Sequence, residues 1–205
     1  MTNTTDTMTS EAWDRLVRAT RWAIADAQRP ERGTEDDLPA VPEADSEVAL
    51  PAWDQTVWAE GFITGPLADL PRFGPEEGWT RYVPITCPSA MCMAGNGAFL
   101  LGGQFVVGEH DAQSWEPGDE PISSSSVVIG NEPDAPIEDV NVVGARSFGL
   151  DPTESFHLFD GDHDLTTTVS IVHAIGNHHG RHLPAELAEY ASPEFIDAMT
   201  ERIYG

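Results

Sequence analysis

The stretch Cys87–Gly103, CPSAMCMAGNGAFLLGG, constrains this chain more than any other. It holds both cysteines, the densest group of small residues and a continuous apolar run. Pro88 and Ser89 suit a chain that stops being extended, and Ser89 can cap a helix over Ala90–Leu101 by accepting from a backbone N–H without a helical partner. Gly95 and Gly97 each cost such a helix about 1 kcal/mol relative to alanine. Their return is close approach, because Ala94, Gly95, Gly97 and Ala98 let another backbone lie against the helix. Gly102 and Gly103 then end it, glycine taking a left-handed cap without penalty.

Three readings of Cys87 and Cys92 stand side by side. They are buried free thiols packing as small apolar residues, a disulfide, or half of a zinc site completed by His178 and His182. Six of the seven histidines fall between His157 and His182, and His178-x-x-x-His182 suits a metal pair on a helix, although Gly180 and Pro184 oppose one there. Asp160-Gly161-Asp162-His163-Asp164 has the opening spacing of a calcium loop. It lacks the glycine at the sixth position and the glutamate at the twelfth, so Asp164 reads as a helix cap. No nucleophile elbow, phosphate loop, dinucleotide fingerprint or His-Glu-x-x-His motif is present. No cofactor is expected.

The residues Cys87-Pro88-Ser89-Ala90-Met91-Cys92-Met93-Ala94-Gly95-Asn96-Gly97-Ala98 resemble a family of small proteins encoded by actinobacteriophages and their hosts. Those proteins carry Cys-Gly-Thr-x-x-Cys-x-Ala-Gly-(Trp/His)-Ala after a short Asn/Gln-x-x-Trp element. Here that element is Trp53-Asp54-Gln55-Thr56-Val57-Trp58, and the later Leu-Gly-Leu and Leu-Phe pairs have counterparts in Phe148-Gly149-Leu150 and Leu158-Phe159. Pro88-Ser89 stands in place of Gly-Thr, Asn96 in place of the aromatic residue, and Gly97 is an added residue. The resemblance implies a phage-type protein and no particular activity. It marks Trp53, Gln55, Trp58, Cys87, Cys92, Ala94 and Gly95 as a structural motif.

The chain has 205 residues, a formal net charge of −25 and ten cationic residues; all ten are arginine, with no lysine. Such a surface is a poor match for nucleic-acid backbones, whose binding needs clustered Lys and Arg, and for anionic membranes. The N-terminal MTNTTDTMTS carries neither a basic nor an apolar signal region, and no window is long and apolar enough for a span. The expected location is the cytoplasm, that of the host cell if the protein is phage-encoded.

Residues 1–9 are expected to be disordered and 10–205 to form one mainly α domain. Short extended pieces at 80–86 and 104–107 interrupt it, and 29–52 and 108–139 read as flexible acidic loops. Ser10 can cap a first helix to about Gln28, with Trp13, Leu16, Val17, Thr20, Ile24 and Ala27 on one face. Trp22 falls opposite, covered by a loop or open to a partner. The 108–139 segment holds nine carboxylates, with a weak strand at Val127–Ile129, and its 110–136 portion is expected to be removable without loss of the fold. Further helices follow Asp139, Asp151 or Thr153, Asp164, Leu183 and Ser192.

The function most consistent with these features is binding of a host or phage protein without catalysis, through Trp22 and the acidic surface at Trp115, Glu116, Asp119 and Glu120. Two other classes remain. One is a DNA mimic that occupies a basic nucleic-acid-binding groove. The other is a metal-dependent enzyme built on the histidine cluster.

Overall fold

The structure, a computed structural model, describes residues 8–28, 52–63, 66–74, 81–85, 87–115 and 120–205, with the backbone alone at 52 and 87–90. Residues 1–7 of the expected disordered tail at 1–9, and all of the expected linker but Ala52, lie outside the described residues. Met8 and Thr9 belong to the fold: Met8 is buried, and Thr9 caps the first helix by accepting from Ala12 N–H at 3.2 Å.

Eight helices are present among the described residues: α1 Ser10–Ala27, α2 Met93–Leu100, α3 Glu109–Ser114, α4 Val140–Phe148, α5 Pro152–Leu158, α6 Leu165–His178, α7 Ala185–Ala188 and α8 Pro193–Tyr204. The strands are β1 Ala52–Trp53, β2 Ala59–Phe62, β3 Tyr82–Pro84, β4 Cys87–Met91, β5 Gly103–Gly108, β6 Ile122–Ser123, β7 Ser126–Ile129 and β8 Ile137–Asp139. Among the described residues they form two four-stranded sheets, ordered β1-β4-β2-β6 and β3-β5-β7-β8. The expectation of a mainly α, all-helical domain is therefore corrected to a mixed α/β fold. The strands are two to six residues long, too short to show a period of two, and several lie in Ser-, Gly- and Pro-rich sequence that reads as loop.

The acidic excursion is where that correction matters most. Residues 108–139 hold the end of β5, α3, β6, β7 and β8. β7 pairs with β5 on one side and β8 on the other. Removing 110–136 would take out an inner strand, so the expectation that this segment is dispensable does not hold. Pro84 occurs in β3, at the edge of its sheet, where a residue without an N–H is tolerated.

The second sheet is apolar on both faces, as the pleat dictates. Phe105, Val107 and Val127 join the main core. Val106 and Val128 point the other way and meet Phe73 in a small cluster of their own. The main core is filled by side chains such as Leu16, Met91, Met93, Phe148, Leu158, Ile171 and Ile175.

Around Cys87 the chain differs from the expected helix. Ser89 lies in β4, Cys92 is the N-cap, and the helix begins at Met93. A strand wins here because β4 pairs with β2 and β1, giving the backbone partners that a frayed helix start lacks. The small residues of α2 do meet other backbones. A Cβ on Gly95 would lie 2.1 Å from the Trp58 carbonyl oxygen, and one on Gly97 would lie 3.0 Å from Gly144 Cα. From the other side, a Cβ on Gly144 would lie 2.7 Å from the Ala94 carbonyl oxygen. Thus α2 and α4 touch almost without intervening side chains.

Trp22 is corrected too. It is 6% exposed, edge-on to Phe99 at 6.3 Å between ring centroids, with the Arg18 guanidinium 5.1 Å over its ring. The Trp22 ring is buried against Phe99 and offers no open surface to a partner.

Candidate functional site

Gln55 joins the parts of the molecule that frame the site. Its side chain is 6% exposed. The amide nitrogen donates to the Leu158 carbonyl at 2.9 Å and the Asp160 carbonyl at 3.3 Å. The amide oxygen accepts from Met93 N–H, the first residue of α2. One side chain thus supplies an acceptor to the start of α2 and donors to the end of α5. Nearby, Cys92 N–H donates to the Val57 carbonyl at 2.9 Å. The turn 54–57 is held on two sides, and Trp58 follows it.

Helix α5 is set by a reciprocal cap. Asp151 accepts from Thr153 and Glu154 N–H, while Glu154 accepts from Asp151 N–H at 2.9 Å, and Pro152 occupies the first turn. This is the Asp-x-x-Glu form of the capping box. Residues 154 and 156 lie about 200° apart around a helix, so the two faces of α5 have opposite fates.

The outward face carries Phe156, 69% exposed. It borders a cleft of about 490 Å³ lined by Trp58, Asn141, Pro152, Ser155, Phe156, Phe159 and Asp160. Phe159 is buried and packs on Phe148, 6.4 Å between ring centroids. Asp160 Oδ1 accepts from Asp162 N–H at 3.2 Å. Asn141 Oδ1 is buried and has no hydrogen-bond partner. Among the described residues no arginine lines the cleft. The caps of the adjoining helices, Asp139 and Asp151, are exposed carboxylates.

The inward face carries Glu154, fully buried. Its Oε1 accepts from the Tyr204 hydroxyl at 2.6 Å and pairs with His179 Nε2 at 2.7 Å. His179 Nδ1 accepts from Met8 N–H at 3.4 Å, which leaves the ring proton on Nε2, directed at the carboxylate. Arg181 donates to the Met8 carbonyl at 3.0 Å. His178 stacks on the Tyr204 ring, 3.7 Å between centroids and 4° from parallel. Burial, then the hydrogen bond to Glu154, pushes the Tyr204 hydroxyl pKa well above its ordinary value. Tyr204 is therefore a donor here throughout the physiological range. This cluster joins the N-terminus of the described chain, α5, the end of α6 and the end of α8.

The zinc reading finds no support in these positions. Cys92 is a free, buried thiol. Burial pushes its pKa up to about 11, and Sγ lies 3.8 Å from the Trp58 carbonyl oxygen as a weak donor. The Cys87 side chain lies outside what is described. α6 ends at His178, and Gly180 turns the chain at φ +66°, so His178 and His182 do not share a helical face. Among the described residues no three His, Cys, Asp or Glu side chains are grouped to hold a metal ion.

Of the acidic surface candidates, Glu116 and Asp119 lie outside the described residues. Trp115 is half-buried against Phe62, its indole N–H donating to the Glu120 carbonyl at 2.9 Å, and Glu120 is exposed. Trp53, Gln55, Trp58, Cys92, Ala94 and Gly95 are brought together at the start of α2. Sequence reasoning missed Asn141, Phe156 and Asp160 as a group, and Glu154, His179 and Tyr204 as another. The capping box at Asp151 was a usable signal for an inward Glu154. Nothing local announced its partners.

No protein-family model, curated protein or solved structure matches the chain.

Proposed function

We propose that this protein acts without catalysis, by binding a basic segment of another protein at the cleft beside α5. The observation that carries this reading is Phe156, an aromatic ring 69% exposed at the mouth of an aromatic cleft on a chain of net charge −25. An exposed aromatic beside a pocket is the usual composition of a binding anchor, and a strong negative field speeds encounter with a cationic partner. The anchor role once expected of Trp22 passes to Phe156. The resemblance to actinobacteriophage proteins makes a host or phage protein the proposed partner, met in the host cytoplasm. No helix among the described residues is long and apolar enough to cross a membrane.

Calorimetric titration with a basic amphipathic peptide of Arg, Lys and Leu, and with its Glu-substituted counterpart, tests the reading. The basic peptide is expected to bind, with affinity falling as salt rises through about 0.1 M, where the screening length nears 10 Å. Phe156→Ala should weaken it about tenfold, as loss of a hot-spot side chain does. Equal binding of the acidic peptide, or wild-type affinity in Phe156→Ala, would overturn it.

A further inference from the structure

We infer that the cleft beside α5 accepts the guanidinium of an arginine side chain from the partner. The inference rests on the binding reading above and adds the identity of the group recognised. Trp58, Phe156 and Phe159 supply aromatic surface, and acceptor atoms of Asp160, Ser155 and Asn141 stand among them, beside the Asn141 amide NH2 and the Trp58 indole N–H. Asp160 uses Oδ1 in its own turn, which leaves Oδ2 for a ligand. Ser155 donates its hydroxyl proton to the Pro152 carbonyl at 3.2 Å and so presents lone pairs to the cleft. Asn141 Oδ1 is a buried acceptor without a partner, a state that costs stability until a donor reaches it.

A ligand that suits this lining must be cationic, rich in N–H donors and flat enough to lie on aromatic rings. Guanidinium meets all three conditions. It has five donors in a plane, stacks on aromatic faces and is more weakly hydrated than an ammonium. Lysine offers a compact, strongly hydrated charge, and an aromatic cleft strips that hydration with less in return. An anionic or neutral apolar ligand would leave the acceptors unpaired, and an anion would face Asp160 directly. The chain has a guanidinium over an indole elsewhere, Arg18 on Trp22 at 5.1 Å, which shows the contact geometry within the same molecule. Among the described residues no arginine lines the cleft to fill that role.

The test uses the full chain. Hexa-arginine and hexa-lysine peptides are titrated calorimetrically into the wild type, Phe156→Ala and Asp160→Asn, with melting curves confirming that each variant is folded. Phe156 is exposed and Asn preserves the side-chain acceptor of the 160–162 turn, so neither change removes core packing. In parallel, methylguanidinium and methylammonium are titrated into the wild type and followed by NMR, which needs no variant. The expected result is hexa-arginine binding about tenfold tighter than hexa-lysine, a preference abolished by either substitution. Methylguanidinium, and not methylammonium, should shift the Trp58 indole resonance. If both peptides bind equally and both lose affinity in Phe156→Ala, the arginine pocket is overturned while the binding reading stands. If neither peptide senses Phe156→Ala, both fall together.

Discussion

The backbone contacts of α2, with α4 and with the Trp58 carbonyl, and the Glu154 junction each fasten segments far apart in the chain, and they do it by opposite means. At the first, Ala94, Gly95, Gly97 and Gly144 remove side chains until backbones touch. What allows that approach is the absence of side-chain volume, not a charge. At the second, Glu154 is buried whole and takes donors from Tyr204, His179 and Asp151 N–H. The difference teaches where each is vulnerable. Backbone contact fails when volume is added, because packed interiors have no slack to give. A buried carboxylate fails when a partner is removed, because the remaining polar groups stay buried without compensation.

The largest effect is expected at the first region. Gly95→Leu places a Cβ 2.1 Å from a carbonyl oxygen, which the backbone can escape only by moving. The loss should be about 3 kcal/mol or more, enough to leave the chain partly unfolded given stabilities of roughly 5–15 kcal/mol. Wild-type melting for this variant would show that α2 is not held by close approach.

At the second region the substitutions are graded. Glu154→Ala leaves the Tyr204 hydroxyl, the His179 N–H and the Asp151 N–H without their acceptor, and should cost about 2–3 kcal/mol in chemical denaturation. Tyr204→Phe removes one donor and leaves the others paired, so about 1 kcal/mol is expected. If the two variants lose the same amount, the carboxylate is not the hub and the contrast with the glycine contact collapses.

The smallest effect is a slope in pH, and it sharpens the comparison by using a histidine that Glu154 does not hold. Burial, and after it the charge of Arg202, keeps the His157 pKa below its ordinary value. The folded protein then binds that proton less readily than the unfolded chain. Stability is insensitive to His157 at high pH and declines as pH falls through about 6.5, the unfolded value. His157→Gln should flatten the stability profile between pH 7 and the lower folded-state pKa. A profile unchanged by the substitution would place the acid sensitivity elsewhere.

The legible part of the site was local. Asp151 and Asp164 announced helix starts, and both cap helices, accepting from Glu154 and Thr167 N–H respectively. The small residues of Cys87–Gly103 announced a close contact, and the contact is there, although the partner helix α4 could not be named. Phe156 was visible only as one apolar residue among polar ones, and Glu154 as one carboxylate of many. Their roles depend on α5 having Gln55 at its end and α8 against its inner face, neighbours that sequence spacing does not encode. Trp22 went astray for the same reason. Its charged helix face left it covered by a loop or open to a partner, and it is Phe99, from α2, that covers it.

By itself the sequence determined the elements whose signals lie within a turn or two. These were the apolar stripe of α1, the caps of α5 and α6, the glycine end of α2, the short strand at 104–107, and the net charge of −25. Local hydrogen bonds and side-chain periodicity are properties of neighbouring residues, so the sequence carries them directly. Only the tertiary structure decided that residues 87–91 pair as a strand, that the acidic excursion contributes an inner strand, and that one face of α5 meets a buried carboxylate cluster while the other opens on an aromatic cleft. Those outcomes depend on which distant backbone groups are free to pair and which surfaces are already covered, and both are settled when the segments come together.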